Sequence, residues 1–227
     1  MKRPVGPLSP SSETTPRLIL ATRNKGKLRE LRNLLRGHLP DLDVDTQVID
    51  AEQAHAPEVS ETGVTFAENS WLKAFAVAQA TGIPAIADDS GLTVDVLGGA
   101  PGILSARWCG RHGDDAANLQ LLLAQLSDVP DEQRGAALVC AATLAVPGSD
   151  GTVSRTVRHG RLAGVLLRGP HGNDGFGYDP IFRPTGAHLS CAELTPEQKS
   201  AISHRGQAFR ALLPSIVEAL MTPKNQL

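Results

Sequence analysis

An α/β fold, a mixed sheet with helices on its faces, is what this sequence of 227 residues predicts. Three observations carry that expectation. A short apolar run, Arg17 to Thr22, leads through a polar loop into leucines at helical spacing. The stretch "TFAENSWLKAFAVAQATG" has a helix-start signal and runs on into strand-like "IPAIAD" and "GLTVDVL". Two longer strand-like runs, "GAALVCAATLAV" and "GTVSRTVRHG", flank the turn signal "PGSDG". Strands and helices are interspersed rather than segregated, and no internal repeat is visible, so the chain reads as one α/β unit.

The elements follow in order. "RLILAT" is a buried strand. Leu28, Leu31, Leu34 and Leu35 then form one helix face, with Gly37 as the stop. Residues 38 to 64 are weakly patterned. Thr65 and Glu68 have capping-box spacing at the start of the second helix, and Gly82 sits at its end. "IPAIAD" and "GLTVDVL" read as two strands around an Asp88-Asp89-Ser90-Gly91 turn. Asp114 to Leu126 is a third helix. Near the C-terminus, Thr195, Pro196 and Gln198 supply a cap, a first-turn proline and a third-position amide, and Ser203 restarts the helix after a break. Residues 1 to 16, rich in Pro, Ser and Thr, read as a disordered tail ahead of a unit spanning 17 to 227.

Composition narrows the function. Hydrophobic residues make up 41% and charged residues 20%, an ordinary globular balance. The net charge of −2 offers no basic field for nucleic acid, and 4% aromatic content leaves few stacking platforms. Cys109, Cys140 and Cys191 are far apart and form no CxxC pair, which fits reduced thiols in a cytoplasm. No apolar run reaches the roughly 18 residues of a membrane-spanning helix. The N-terminus lacks the apolar stretch of a secretory signal.

Five stretches could carry chemistry. "TRNKGK", Thr22 to Lys27, lies between strand and helix, where unpaired N–H groups favour anions. Thr22 and Asn24 add donors, Lys25 and Lys27 add charge, and Gly26 permits close backbone approach. The loop is not a Walker A sequence, and a solvated basic helix start is the bland alternative. Asp88 and Asp89, if in a strand, point to opposite faces, so only one need enter a given cleft. A carboxylate there suits a magnesium ion or a water-activating base; an Asx-type turn is the alternative. Asn69 and Lys73 share a helix face, with Glu61 upstream, and offer an acidic metal contact plus a phosphate-facing lysine; Glu68 reads as a helix cap. "GNDGFGYDP", Gly172 to Pro180, can fold round a flat ligand with Phe176 stacked on it, or be a plain turn cluster. Lys199, His204 and Arg205 can grip phosphate or a base carbonyl, or simply be exposed.

Taken together, "LATRNKGKLREL", "ETGVTFAENSWLKA", "IPAIADDSGLTVDVLGGAPGILSARW", "GFGYDPIF" and "LTPEQKSAISHRGQA" resemble the inosine/xanthosine triphosphate pyrophosphatase family. The resemblance implies an elongated α/β fold with a long mixed sheet and two lobes around a central cleft. It implies a homodimer that uses Mg²⁺ to hydrolyse dITP, ITP or XTP to the monophosphate and pyrophosphate. By the same resemblance, Thr22, Arg23, Asn24, Lys25, Gly26 and Lys27 bind the phosphate chain. Asp89 is the proton acceptor and a metal contact, Glu61 a second metal contact, and Ser90 touches substrate. Phe176, Gly177, Tyr178, Asp179, Lys199, His204 and Arg205 surround the nucleotide. Arg23 stands where relatives commonly have glycine. Lys27 and Lys73 would share the charge on the departing pyrophosphate. His204 and Arg205 would read the 6-oxo edge of the purine. Two rivals remain at this stage: a pyrophosphatase of other modified nucleotides, and a non-catalytic nucleotide-binding module.

Overall fold

The computed structural model describes residues 15–36 and 38–221. The expected tail lies outside them up to residue 14, as do Gly37 and the last six positions of the expected unit.

Six strands form one mixed sheet in the order β2-β1-β3-β4-β5-β6. β1 (Leu18–Leu20) lies parallel to both β2 (Val48–Asp50) and β3 (Ala85–Val94). β3, β4 (Gly135–Pro147), β5 (Val153–Leu166) and β6 (Phe182–Pro184) then run antiparallel, each to the next. The helices are α1 (Lys25–Leu35), α2 (Val44–Gln47), α3 (Phe66–Thr81), α4 (Asp115–Gln125), α5 (Pro196–Ile202) and α6 (His204–Met221).

The helices choose faces through strand alternation. Leu18, Leu20, Val48 and Ile86 point to one face, where Leu28, Leu31 and Leu35 of α1 and Phe209, Leu212 and Ile216 of α6 cover them. Ile19, Ile49, Ala85 and Ala87 point to the other and meet Ala74, Val77 and Ala78 of α3. A third cluster at the far end gathers Leu92, Val94, Leu119, Leu122, Leu126 and Phe182 around β3 to β6 and α4. The predicted capping boxes form at Thr65–Glu68 and Thr195–Gln198, and Gly82 ends α3 in a left-handed conformation. Caps of this kind contribute about 1 kcal/mol each.

The structure corrects the expected turn at Asp88 to Gly91. β3 is one ten-residue strand, paired residue for residue with β4 from Ala85–Ala145 to Val94–Ala136. The long apolar β4 supplies a continuous partner, so the polar quartet stays extended. Within the weakly patterned 38 to 64, α2 and β2 form a short helix and strand; β2 is too short to show alternation, and among the described strands it pairs only with β1.

Candidate active site

β1 pairs with β3 only as far as Leu20–Ile86. Past that point no described strand covers that edge of β3 until the isolated Thr93–Pro101 bridge. A cavity of about 1000 Å³ opens there, lined among others by Lys27, Glu61, Lys73, Asp88, Asp89, Ser90, Phe176, Lys199, His204 and Arg205. Because the edge is open, side chains from both faces of β3 reach one cleft.

Alternation explains why two aspartates sit side by side. Asp88 continues the Ile86 face and meets the helices there. Its carboxylate accepts two hydrogen bonds from Lys27 Nζ of α1, at 2.8 and 2.9 Å, and one from Arg205 Nε of α6 at 3.1 Å. Ser90 Oγ donates to it at 3.2 Å. Burial alone would raise the pKa of Asp88, but Lys27 and Arg205 hold it far below the usual carboxylate range. Asp88 thus lies in a strand rather than a turn, with its carboxylate held as an anion by two cations.

Asp89 continues the Ala87 face and meets α3. Asn69 Nδ2 donates to it at 3.2 Å and Lys73 Nζ at 3.4 Å. Lys73 Nζ also donates to Glu61 at 2.6 Å, and Arg107 approaches Glu61 at 3.9 Å. Burial raises the Asp89 pKa, Glu61 adds to the rise, and Lys73 and Asn69 offset only part of it. Burial works to lower the Lys73 pKa, yet Asp89 and Glu61 leave it raised. The pKa values of the two neighbouring carboxylates are thus pushed in opposite directions. Gly91 completes the quartet by close approach: a Cβ there would lie 2.5 Å from Ser105 Oγ and 2.6 Å from Gly102 O.

The opening loop divides. Gly26 and Lys27 line the cavity with Asn24, whose Oδ1 caps α1 by accepting from Gly26 N at 2.8 Å and Lys27 N at 3.3 Å. Thr22 Oγ1 accepts from Asn24 N at 3.2 Å and is not part of the lining. Lys25 turns away to Asp50 at 2.7 Å and Glu52 at 2.9 Å, and Arg23 pairs with Glu58 outside the cleft. Sequence spacing could not foresee this, because Asp50 arrives only through the pairing of β2 with β1.

At the far side, Phe176 is 61% exposed, with Lys199 Nζ 4.9 Å from its ring centroid. Lys199 also pairs with buried Asp179, which accepts from Phe176 N at 2.8 Å. Gly177 N donates to Asp115 at 2.8 Å, and Tyr178 OH to Ser105 O at 2.9 Å, so this loop is tethered to α4 and the segment before it. Asp115 and Glu30, which lies 3.9 Å from Arg205, are cavity residues that carry no sequence motif of their own. His204 Nδ1 is buried without a partner, and burial pushes the imidazole down to about 3, so the ring is neutral.

Glu61 and Asp89 offer hard oxygen donors from two segments that converge on one ammonium. They fit a divalent cation that keeps waters and takes its other ligands from phosphate. Among the described residues no group of three His, Cys, Asp or Glu side chains forms a protein-only metal cage. No described helix is long and apolar enough to cross a membrane.

Comparison with known proteins gives consistent likenesses. The family model for the Ham1 family matches residues 18–215. A dITP/XTP pyrophosphatase of Streptomyces coelicolor is 60% identical over 205 residues, covering 90% of this chain and 98% of that protein. A dITP/XTP pyrophosphatase of Nocardia farcinica is 52% identical over 205 residues, covering 89% and 96%. A solved HAM1 protein from Coxiella burnetii superposes with a TM-score of 0.79 at 40% identity, covering 90% of this chain and 100% of that one. A solved nucleoside-triphosphatase / dITP/XTP pyrophosphatase from Mycobacterium abscessus gives 0.70 at 50% identity, covering 87% and 99%.

Proposed function

This chain belongs to the Ham1 family, and on that premise we propose that it hydrolyses the non-standard purine triphosphates dITP, ITP and XTP to monophosphate and pyrophosphate. The observation that carries the reading is the pair Asp88 and Asp89 on one open strand edge. One carboxylate is locked as an anion between Lys27 and Arg205; the other is raised toward proton acceptance beside Lys73 and Asn69.

In this reading Asp89 orients a water and takes its proton as the water attacks the α-phosphorus, a role that contributes about 10²–10⁴-fold. The raised affinity of Asp89 for protons supports that assignment. Lys27, held at the other side of the strand edge, and Lys73 face the phosphate chain and stabilise charge that builds on the leaving pyrophosphate. Asn24 and Gly26 shape the floor beneath it. Thr22, Arg23 and Lys25 act from behind the loop rather than from within the cleft. Glu61 and Asp89 would hold Mg²⁺, which when bound supplies further neutralisation of the phosphate oxygens.

Phe176 offers an exposed ring face for the base, with Gly177, Tyr178 and Asp179 fixing its loop and Lys199 on the ring. In this reading neutral His204 and the Arg205 guanidinium, both in the cavity lining, meet the 6-oxo edge. Adenine, which presents an amino group there, would leave a buried donor unpaired at a cost of about 1–3 kcal/mol. The same reading includes a homodimer working in the cytoplasm; near-neutral net charge and three free, scattered cysteines are compatible with that setting.

Product analysis with ITP and Mg²⁺ tests the proposal. IMP and pyrophosphate support it. IDP with orthophosphate, or equal rates on ITP and ATP, would overturn it.

A further inference from the structure

The residues facing the base side of the cavity sit on a corner. α5 ends at Ile202, Ser203 is extended at φ −59° and ψ 140°, and α6 begins at His204. Helix breaks of this kind need their freed backbone groups satisfied and their angle fixed by something. Ser203 Oγ accepts from Gly206 N at 2.9 Å, which caps α6 locally. That cap does not tie the corner to the sheet.

Two residues outside the cavity lining do. Gln207 uses both ends of its amide: Nε2 donates to Ile202 O at 2.9 Å, and Oε1 accepts from Arg161 N of β5 at 3.2 Å. One side chain thus joins the end of α5, the first turn of α6 and an amide of β5. Beside it in β5 lies buried Gly160. A Cβ there would sit 1.9 Å from His204 O and 2.8 Å from Ala208 N, both backbone atoms that no rotamer change can move aside. Gly160 pairs with Cys140 of β4, and Cys140 pairs with Ser90 of β3. The first turn of α6 is therefore seated on the line of strands that ends at the Asp88–Ser90 edge, and from that turn Arg205 reaches Asp88.

We propose that Gly160 and Gln207 are positioning residues for base recognition, setting the height and pitch of the α5–α6 corner and so the placement of His204 and Arg205. The inference rests on the proposed reading of those two side chains as the base-facing pair. To reach ordinary contact with an added methyl, His204 O must retreat by about 1.5 Å from its 1.9 Å separation. Misplacement by about 1 Å can cost on the order of 10²-fold.

The test compares wild type, Gly160→Ala and Gln207→Met, each in the full chain. Methionine keeps the length of Gln207 and removes both hydrogen bonds without adding bulk. Kinetics are measured on ITP and ATP across pH. Both variants should raise KM for ITP by roughly 10–100-fold, lower kcat less than about 5-fold, and narrow the ITP-over-ATP ratio. The ¹⁵N resonances of His204, read without nucleotide, should shift in both. Folded variants with wild-type KM, selectivity and His204 resonances overturn the inference, as does a loss confined to kcat. If Gly160→Ala fails to fold, Gln207→Met decides alone. A wild type that does not cleave ITP strikes the proposed function instead, and the nucleotide-free resonances still judge the positioning.

Discussion

Asp89→Asn should abolish most turnover and at the same time stabilise the fold. The side chain is 12% exposed, and burial together with Glu61 raises its proton affinity above that of a free aspartate. A carboxyl whose folded pKa lies above its unfolded value contributes less stability as pH rises through the interval between the two. Asparagine is nearly isosteric, carries no charge, and keeps one acceptor oxygen, which can serve either Asn69 or Lys73, each bound to a different oxygen of Asp89. Lys73 keeps Glu61 at 2.6 Å, so no cation is stranded. Relief of such a functional strain typically gives about 0.5–2 kcal/mol. At about 2–4 °C per kcal/mol for a chain of this size, the melting temperature should rise by a few degrees. Loss of a general base of about 10²–10⁴-fold corresponds to about 2.7–5.5 kcal/mol in the barrier. Pyrophosphate release from ITP and thermal unfolding at pH 7, both on the same preparation, read the two effects. Near-normal turnover would refute the base assignment. A melting temperature lowered by several degrees would refute the electrostatic account of the site.

Asp88→Asn should behave in the opposite way. Its carboxylate is 1% exposed and holds two cations, so removal costs about 3–5 kcal/mol and lowers the melting temperature by roughly 6–20 °C, measured by calorimetry. Glu61→Gln removes a charge that raises Asp89, so the Asp89 carboxyl resonance in metal-free protein should titrate at lower pH than in wild type. His204 is neutral in the fold down to about 3, whereas an unfolded histidine takes its proton near 6.5. Its contribution is complete above about 6.5 and is lost as pH falls toward 3, by up to about 1.4 kcal/mol per pH unit. Denaturant unfolding of His204→Gln should show a shallower acid slope than wild type. Lys25→Met should leave KM for ITP within about 3-fold, because its ammonium pairs with Asp50 and Glu52 outside the cavity lining, while Lys27→Met, which alters the lining and strips Asp88 of a partner, should raise KM by at least about 10-fold.

Much was legible in the chain itself. The helical spacing of Leu28, Leu31 and Leu35, the two capping boxes and the glycine ending α3 depend on neighbours within a few positions, and the structure keeps all of them. The rule that adjacent strand residues face opposite ways also came from the sequence, and it separates Asp88 from Asp89. What the sequence could not determine is which helix waits on each face. Arg205 reaches Asp88 across 117 positions and Lys27 across 61, through α1 and α6 choosing the same side of the sheet. The expected turn became a strand because β4 offered ten consecutive partners, and Lys25 left the cleft because β2 brought Asp50 to it. Local order follows from backbone sterics and periodicity. The charge pairing that distinguishes the two aspartates arises only when packing brings distant segments to one open strand edge.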